Sequence, residues 1–454
     1  MTAFDVQDFV DRQPLSRAHY IAAVLALLAM FVDGFDIFML GKIAPAIAKG
    51  MHVSPAAMTL VFVAQQIGLA LGSFFVSPLS DFFGRKRLLV VSFVIFGLLT
   101  IAGAFSQTIM QLAVLRGIAG LFLAGVLPAA LALVSEIIPG RHRSAVTGLA
   151  MAGYSAGNAA GASVAFLVPV YGWQGALWLG GLMALALVPI LIIFLAESPI
   201  HLAMRRPSDP RIGQTLTTIA PTLKLQGDEV FILPTGPRSS KASVWDVLRH
   251  GRAPTTITMW LCYLLSMGNI ALLAAWLPTF FQEMAGISIQ KFAIALMISL
   301  VGGLAGMSSV GFLMDRIKSI WLLTAYFVGN AVTIAALGRV PFHNPGFFVL
   351  LTAFSFCQAS GQGGLNILLS QYYPPAIRST GLGWAGGVGR IGGIIAPGLG
   401  GAALMHSLSL KTTLGLVALS PCVVVLLLTF VLRPAGVTAH VTDMPDPVAP
   451  IPQA

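Results

Sequence analysis

Two carboxylates and two guanidinium groups stand inside stretches of sequence that are otherwise almost wholly apolar. Asp33 and Asp36 lie in segment 20–47, Arg116 in 109–134 and Arg390 in 380–403. A charged side chain at the centre of a bilayer costs roughly 2.5–3.5 kcal/mol on insertion scales, so it faces a protein interior or a wet cavity. Three residues apart, Asp33 and Asp36 share one face of a helix, one nearly above the other. Gly34 between them keeps that face open to close approach. The pair suits a proton or substrate relay; the alternative is two structural acids hydrogen-bonded to neighbouring helices. At a rise of about 1.5 Å per residue, Asp33 and Arg116 both come out about 10 Å below the outer membrane face, so Arg116 is placed to pair with the acids. Arg390 falls near the middle of its span. There a planar guanidinium can take a carboxylate with two parallel bonds; a salt bridge to a helix end is the alternative.

The elements that must position these groups follow from composition. Of 454 residues 57% are hydrophobic and only 9% charged, against about 25% charged in a soluble domain. The chain reads as an all-α integral membrane protein. Twelve apolar stretches are each long enough to cross roughly 30 Å of hydrocarbon: 20–47, 56–80, 88–107, 109–134, 145–169, 175–196, 256–280, 292–314, 320–338, 346–370, 380–403 and 411–432. They divide six and six around a polar insert. The expected organisation is a segment 1–19, a half 20–197, a linker 198–255, a half 256–433 and a Pro-rich, disordered tail 434–454. Most of the linker reads as a solvated tether, with a short interfacial helix at 243–250. Residues 1–17 lack the apolar core of a signal peptide.

The net charge of +10 would suit nucleic acid in a soluble chain. Here most of the Lys and Arg residues fall in the loops and tails that lie inside if both termini are cytoplasmic, which sets orientation and leaves no nucleic-acid reading. Lys42, Lys49, Lys291, Arg339 and Lys411 are assigned to the outer side or its edge. Cys262, Cys357 and Cys422 all fall within spans, an odd set that makes no disulfide framework. No His pair has metal-ligand spacing, no nucleophile–base constellation stands out, and no phosphate-binding loop precedes a Lys-Ser/Thr. An enzyme, a metal site and an ATP-driven pump are therefore not expected.

The two halves repeat. Asp81 and Asp315 end the second span of each half, and Pro139 with Arg143-Ser144 matches Pro374 with Arg378-Ser379, at a common offset of about 235 positions. Parallel repeats of this kind place a transporter's substrate site at the repeat interface near the midplane. The loop Ser77-Pro78-Leu79-Ser80-Asp81-Phe82-Phe83-Gly84-Arg85-Lys86-Arg87 puts a carboxylate, a glycine turn and three cations together, and Gly311-Phe312-Leu313-Met314-Asp315-Arg316 repeats its first half. Glu136 comes out at the inner interface near Arg143 and Asp81, as part of the same gate.

On these loops the chain resembles the major facilitator superfamily, with Ser77 and Phe82 departing from the usual Gly and cation. The resemblance implies two pseudo-symmetric six-helix halves and a gating role for Asp81, Arg85 and Asp315, and Gly84, Arg316 and Arg378 are read as parts of the same inner gate. A narrower resemblance is to the aromatic acid:H+ symporter family. It rests on Asp33-Gly34-Phe35-Asp36, Arg116-Gly117, Glu136, Glu197-Ser198-Pro199, Trp276-Leu277-Pro278, and the run Pro375 to Trp384 continuing to Gly389-Arg390-Ile391-Gly392. It implies a monomeric, multi-pass transporter of a bacterial inner membrane that imports aromatic carboxylates. A proton gradient is the energy source, no cofactor is needed, and Asp33 or Asp36 carries the proton. Arg390 and Arg116 are then the cationic anchors. Gln358, Gln362 and Asn366, four apart on one face of the tenth span, bond either ring substituents or a neighbouring helix. Phe35, Phe38, Trp276, Phe356 and Trp384 are candidate flat walls. A symporter of the same fold for other organic acids or sugars, and a transporter-like sensor without net flux, are the alternatives.

Overall fold

The computed structural model describes residues 3–205, 209–220, 223, 230–232, 244–249 and 251–432. A helical segment stands at each predicted span. The first half holds Arg17–Gly50, Pro55–Phe75, Arg85–Gly103, Ile109–Ile137, Gly140–Ser163 and Val168–Phe194. The second holds Ala253–Ala285, Ile289–Met314, Ser319–Leu337, Pro345–Tyr372, Pro375–Met405 and Leu410–Leu432. Ten of these carry a stretch long and apolar enough to cross a membrane. The fifth and tenth fall short of that apolarity because they carry Thr147, Asn158, Gln358, Gln362 and Asn366 among small residues. Local chemistry sets the ends. Thr108 and Gln111 form a reciprocal capping box at the start of the fourth span, and Asn344 caps the tenth with Pro345 in its first turn, where a missing N–H is harmless. The fourth span is two helical pieces, Ile109–Leu123 and Val126–Ile137, joined by a turn at Ala124 and Gly125.

By contacts the chain forms two compact units that cut across the sequence halves. Unit 1 is Met1–Arg238 with Ile270–Leu300 and Gly393–Thr413; unit 2 is Ser239–Asn269 with Val301–Gly392 and Leu414–Ala454. Unit 1 therefore includes the parts of the seventh, eighth and eleventh spans that lie toward the Gly50 end of the first span. Trp276 meets Phe62 edge-on at 5.1 Å and gives its indole N–H to the Pro397 carbonyl at 2.8 Å. Gln290 donates to the Ala165 carbonyl at 3.2 Å, beside an apolar cluster of Ala162, Ala165, Ile289 and Ala293.

Apolar surface gives no drive for helices to associate in lipid, so close backbone packing must supply it. The first and fifth spans show how. A Cβ on Gly157 would collide with the Phe31 carbonyl, and one on Gly34 with the Tyr154 carbonyl. Gly153, Gly157 and Gly161 are the expected stripe of small residues. Unit 2 has its own core, with Leu323, Phe327, Leu365, Leu369 and Leu428 among its buried residues.

The linker departs from the expected tether. Helices Pro199–Arg205 and Pro210–Ile219 pack with helix Val6–Arg12, burying Val6, Val10, Leu202, Ile212, Leu216 and Phe231. Ala3–Asp5 pairs in parallel with Val230–Ile232, Phe4 opposite Phe231. Ile212 and Leu216, at helical spacing, draw the segment onto the N-terminus, while Ile219 joins the core of the first half. The expected helix at 243–250 is the five-residue Val244–Leu248; Ser243 and His250 lie outside the described residues. So do the linker cations Arg206, Lys224, Arg238 and Lys241, with Arg433 and the tail 434–454.

Gly157→Val should lower the thermal stability of the purified protein by about 1–3 kcal/mol, the usual effect of overpacking. Temperature-dependent size exclusion in detergent measures it.

Candidate functional site

Asp36 and Arg116 meet. The guanidinium places Nη1 at 3.0 Å from Oδ1 and Nη2 at 2.6 Å from Oδ2, and both side chains are fully buried. Arg116 Nη1 also donates to Thr100 Oγ1 at 3.2 Å. The first, third and fourth spans therefore converge on one bidentate ion pair. Asp33, one turn earlier on the first span, is buried as well. The depth argument brought Arg116 to the acids; the structure selects Asp36 as its partner. Thr100 was not anticipated, because a lone threonine in an apolar run carries no signal until its neighbours are known. Phe35 is buried against Gly180, inside the first half.

In unit 2 the amides of the tenth span bond the seventh. The Tyr263 hydroxyl donates to Asn366 Oδ1 at 2.7 Å, the Ser266 hydroxyl to Gln362 Oε1 at 2.7 Å, and Gln358 Nε2 to Asn269 Oδ1 at 3.1 Å. Asn269 donates onward to the Val417 carbonyl. Three rungs at four-residue spacing tie the two helices, the interhelical one of the two expectations. Gln358, Asn269, Ser266, Asn330 and Ser420 line a small cavity in this unit together with Phe327, Pro421 and Val424. Arg390 is half-buried in the eleventh span. Trp384 is exposed and stacks on Trp260 with ring centroids 6.1 Å apart, and Phe356 meets Tyr326 edge-on. Trp276 is fully buried in unit 1.

The loop after the second span forms a network around Arg85. Gly84 turns the chain at φ +104°, and a Cβ there would strike the Glu197 carboxylate. That carboxylate accepts from the backbone N–H groups of Arg85, Lys86 and Ser198. The Arg85 guanidinium reaches Glu136 at 2.7 Å, Asp81 at 3.0 Å and His201 Nδ1 at 2.7 Å. Arg143 pairs instead with Asp11 at 2.9 Å, tying the N-terminal helix to the start of the fifth span. The matching loop of the second half is bonded differently. Arg316 lies over the Phe312 ring at 4.1 Å, Arg378 bonds the Tyr373 carbonyl, and neither they nor Asp315 make an ion pair among the described residues.

Two members of this network escaped the sequence reading. Glu197 is visible in the sequence only within a short Glu-Ser-Pro run, and His201 has no metal-ligand spacing to single it out. Lys42, assigned to the outer side or its edge, is buried and bonded to Asn158 through both the backbone carbonyl and the side-chain oxygen, its side chain turned into the protein.

Removing one member of the buried pair leaves an uncompensated charge, so Asp36→Asn should cost about 3–5 kcal/mol of stability. Asp36→Asn with Arg116→Gln should cost less than the two single changes summed, as thermal unfolding in detergent would show. His201 gives a second prediction. Burial, then the positive charge of Arg85, lowers its pKa from 6.5. The stability it contributes is therefore present above about pH 6.5 and lost as pH falls through the lowered value. Melting temperature should drop between pH 7 and pH 5, and His201→Gln should flatten the drop.

Residues 26–397 match the Major Facilitator Superfamily. The chain is 32% identical to a gallate transporter of Pseudomonas putida over 93% of its own length and 94% of that protein. It is 32% identical to the 4-hydroxybenzoate transporter PcaK of Pseudomonas aeruginosa, over 88% and 89%, and 28% identical to a benzoate transport protein of Acinetobacter baylyi, over 98% and 95%. Among solved structures it resembles the inward-open xylose transporter XylE of E. coli with a TM-score of 0.70 at 16% identity, covering 91% of this chain and 96% of that one. These relatives are transporters, not enzymes, and a match across most of its length shows that the chain belongs to the major facilitator superfamily.

Proposed function

We infer that this multi-pass membrane protein is a secondary importer of aromatic carboxylates, driven by a proton gradient and working by alternating access. The observation that carries the mechanism is the bidentate Asp36–Arg116 pair, buried to completion. With both oxygens of Asp36 held by Arg116, the task of taking up and releasing the proton falls to Asp33, one turn away. Arg390, half-buried on the eleventh span, supplies the guanidinium for the substrate carboxylate. The relatives named for gallate, 4-hydroxybenzoate and benzoate support this substrate class.

Asp81, Gly84, Arg85, Glu136 and Arg143 form the gate of the first half in this reading, with Asp315, Arg316 and Arg378 as its counterpart in the second. In this reading both termini lie in the cytoplasm of a bacterium, with the spans in its inner membrane, an orientation that the Lys/Arg-rich loops support. The protein acts as a monomer, and the proton gradient replaces any cofactor.

The test is uptake of labelled gallate, 4-hydroxybenzoate, protocatechuate and vanillate into proteoliposomes with an imposed inward proton gradient. Uptake should collapse with a protonophore. Asp33→Asn should abolish gradient-driven accumulation while keeping substrate binding, and Arg390→Lys, which loses the planar fork, should weaken affinity about tenfold, the value of one charge-assisted bond. Binding without flux would make the protein a sensor. Normal accumulation by Asp33→Asn would remove Asp33 from proton coupling.

A further inference from the structure

His201 meets Arg85 in a way that forbids it a second proton. Arg85 Nη1 lies 2.7 Å from His201 Nδ1, and a guanidinium has only hydrogens to offer. Nδ1 therefore accepts, and the imidazole is neutral with its hydrogen on Nε2. Nδ1 is also the one ring atom left to take up a proton, so the contact and the protonated ring exclude each other. Both residues are only 4% exposed, which leaves little water to screen two cations brought together.

The helix that carries His201, Pro199–Arg205, faces two ways. Through His201 it touches the loop after the second span. Through Leu202 and Ala203 it joins the core that Val6, Val10 and Phe231 build at the N-terminus. The charges around His201 are otherwise engaged. Asp81 and Glu136 pair with Arg85, the Glu197 carboxylate accepts from the backbone N–H groups of Arg85, Lys86 and Ser198, and Arg205 lies over the Phe82 ring at 5.8 Å. On the neighbouring N-terminal and linker helices Asp8 pairs with Arg12, Asp11 with Arg143 and Asp209 with Arg211, while Asp5 caps its own helix. Among the described residues no carboxylate pairs with His201. Burial first, then the Arg85 charge, lowers its pKa from 6.5, against smaller opposing pulls from Glu197 and Asp81. The contact is therefore intact above that value and lost as pH falls through the lowered one.

We propose that His201 is a positioning residue for Arg85 and a gauge of cytoplasmic pH: on taking up a proton it lets go of Arg85, and helix Pro199–Arg205 with the N-terminal helix loosens from the gate loop. Import then slows once the cytoplasm turns acid, a brake on a carrier that itself brings in protons. The brake rests on the orientation and proton coupling of the reading above; the release of the helix does not.

Hydrogen exchange of the purified full chain, read by mass spectrometry at about pH 7.5 and about pH 5 and corrected for the intrinsic pH dependence of exchange, tests the release. In the wild type, protection of Pro199–Arg205 and Val6–Arg12 should fall about tenfold in acid relative to the first span. His201→Gln, whose amide oxygen still accepts from Arg85 but takes no proton, should lose less than about twofold. Unchanged protection in the wild type overturns the proposal without any variant, and so does an equal loss in His201→Gln. Uptake of 4-hydroxybenzoate into proteoliposomes, with the pH step across the membrane held constant, tests the brake. Lowering the internal pH over the same range should slow the wild type at least about threefold more than His201→Gln, each relative to its own rate at the higher pH. Equal slowing of the two overturns the brake. Absence of uptake at every pH sinks the importer reading and the brake with it, while exchange still decides the release.

Discussion

The ion pair between Asp36 and Arg116 is the constraint on which the first half depends. Two opposite charges sealed from water are tolerable only when each satisfies the other at short range, and the bidentate geometry does that. Meeting it fixes three helices at once: the first supplies the acid, the fourth the base, and the third contributes Thr100 to the base. The rotation of each helix about its axis is thereby set. The glycine contacts of Gly34 and Gly157 then set the distance between the first and fifth spans. Charge fixes orientation here, and missing side chains fix separation.

A different use of charge governs the loop at Arg85. That guanidinium is buried but spreads its donors over Glu136, Asp81, His201 and a backbone carbonyl. Asp81 is largely exposed, so part of the network is wet and screened, and such pairs are individually weak. A pair sealed in the span suits a permanent post. A shared, partly solvated set of bonds is easier to break than a single sealed pair. The second half offers no equal set among the described residues, so the repeat in sequence is not a repeat in bonding.

The spans were legible because hydropathy and length alone decide them, and the pairing of Arg116 with the first span was legible from depth. Which acid it chose was not, since Asp33 and Asp36 differ by one turn and only the azimuth of the fourth span separates them. The amides of the tenth span were recognised as needing partners, but their partners Tyr263, Ser266 and Asn269 are unremarkable residues in their own helix. The inward turn of Lys42 was not legible because a long flexible side chain uncouples the charge from the position of its Cα. The linker was misjudged for a similar reason: its apolar stripe is short, and only the N-terminal helix makes it a core.

The parallel pairing of Ala3–Asp5 with Val230–Ile232 has a consequence for biogenesis. Residues 3–5 cannot find their partner strand until the sixth span and the segment after it have been made. Some 225 residues separate the two strands, and the intervening chain must enter the membrane first. Docking of the N-terminus thus marks completion of the first half, a late closure step that any extension grafted onto residue 3 would have to accommodate.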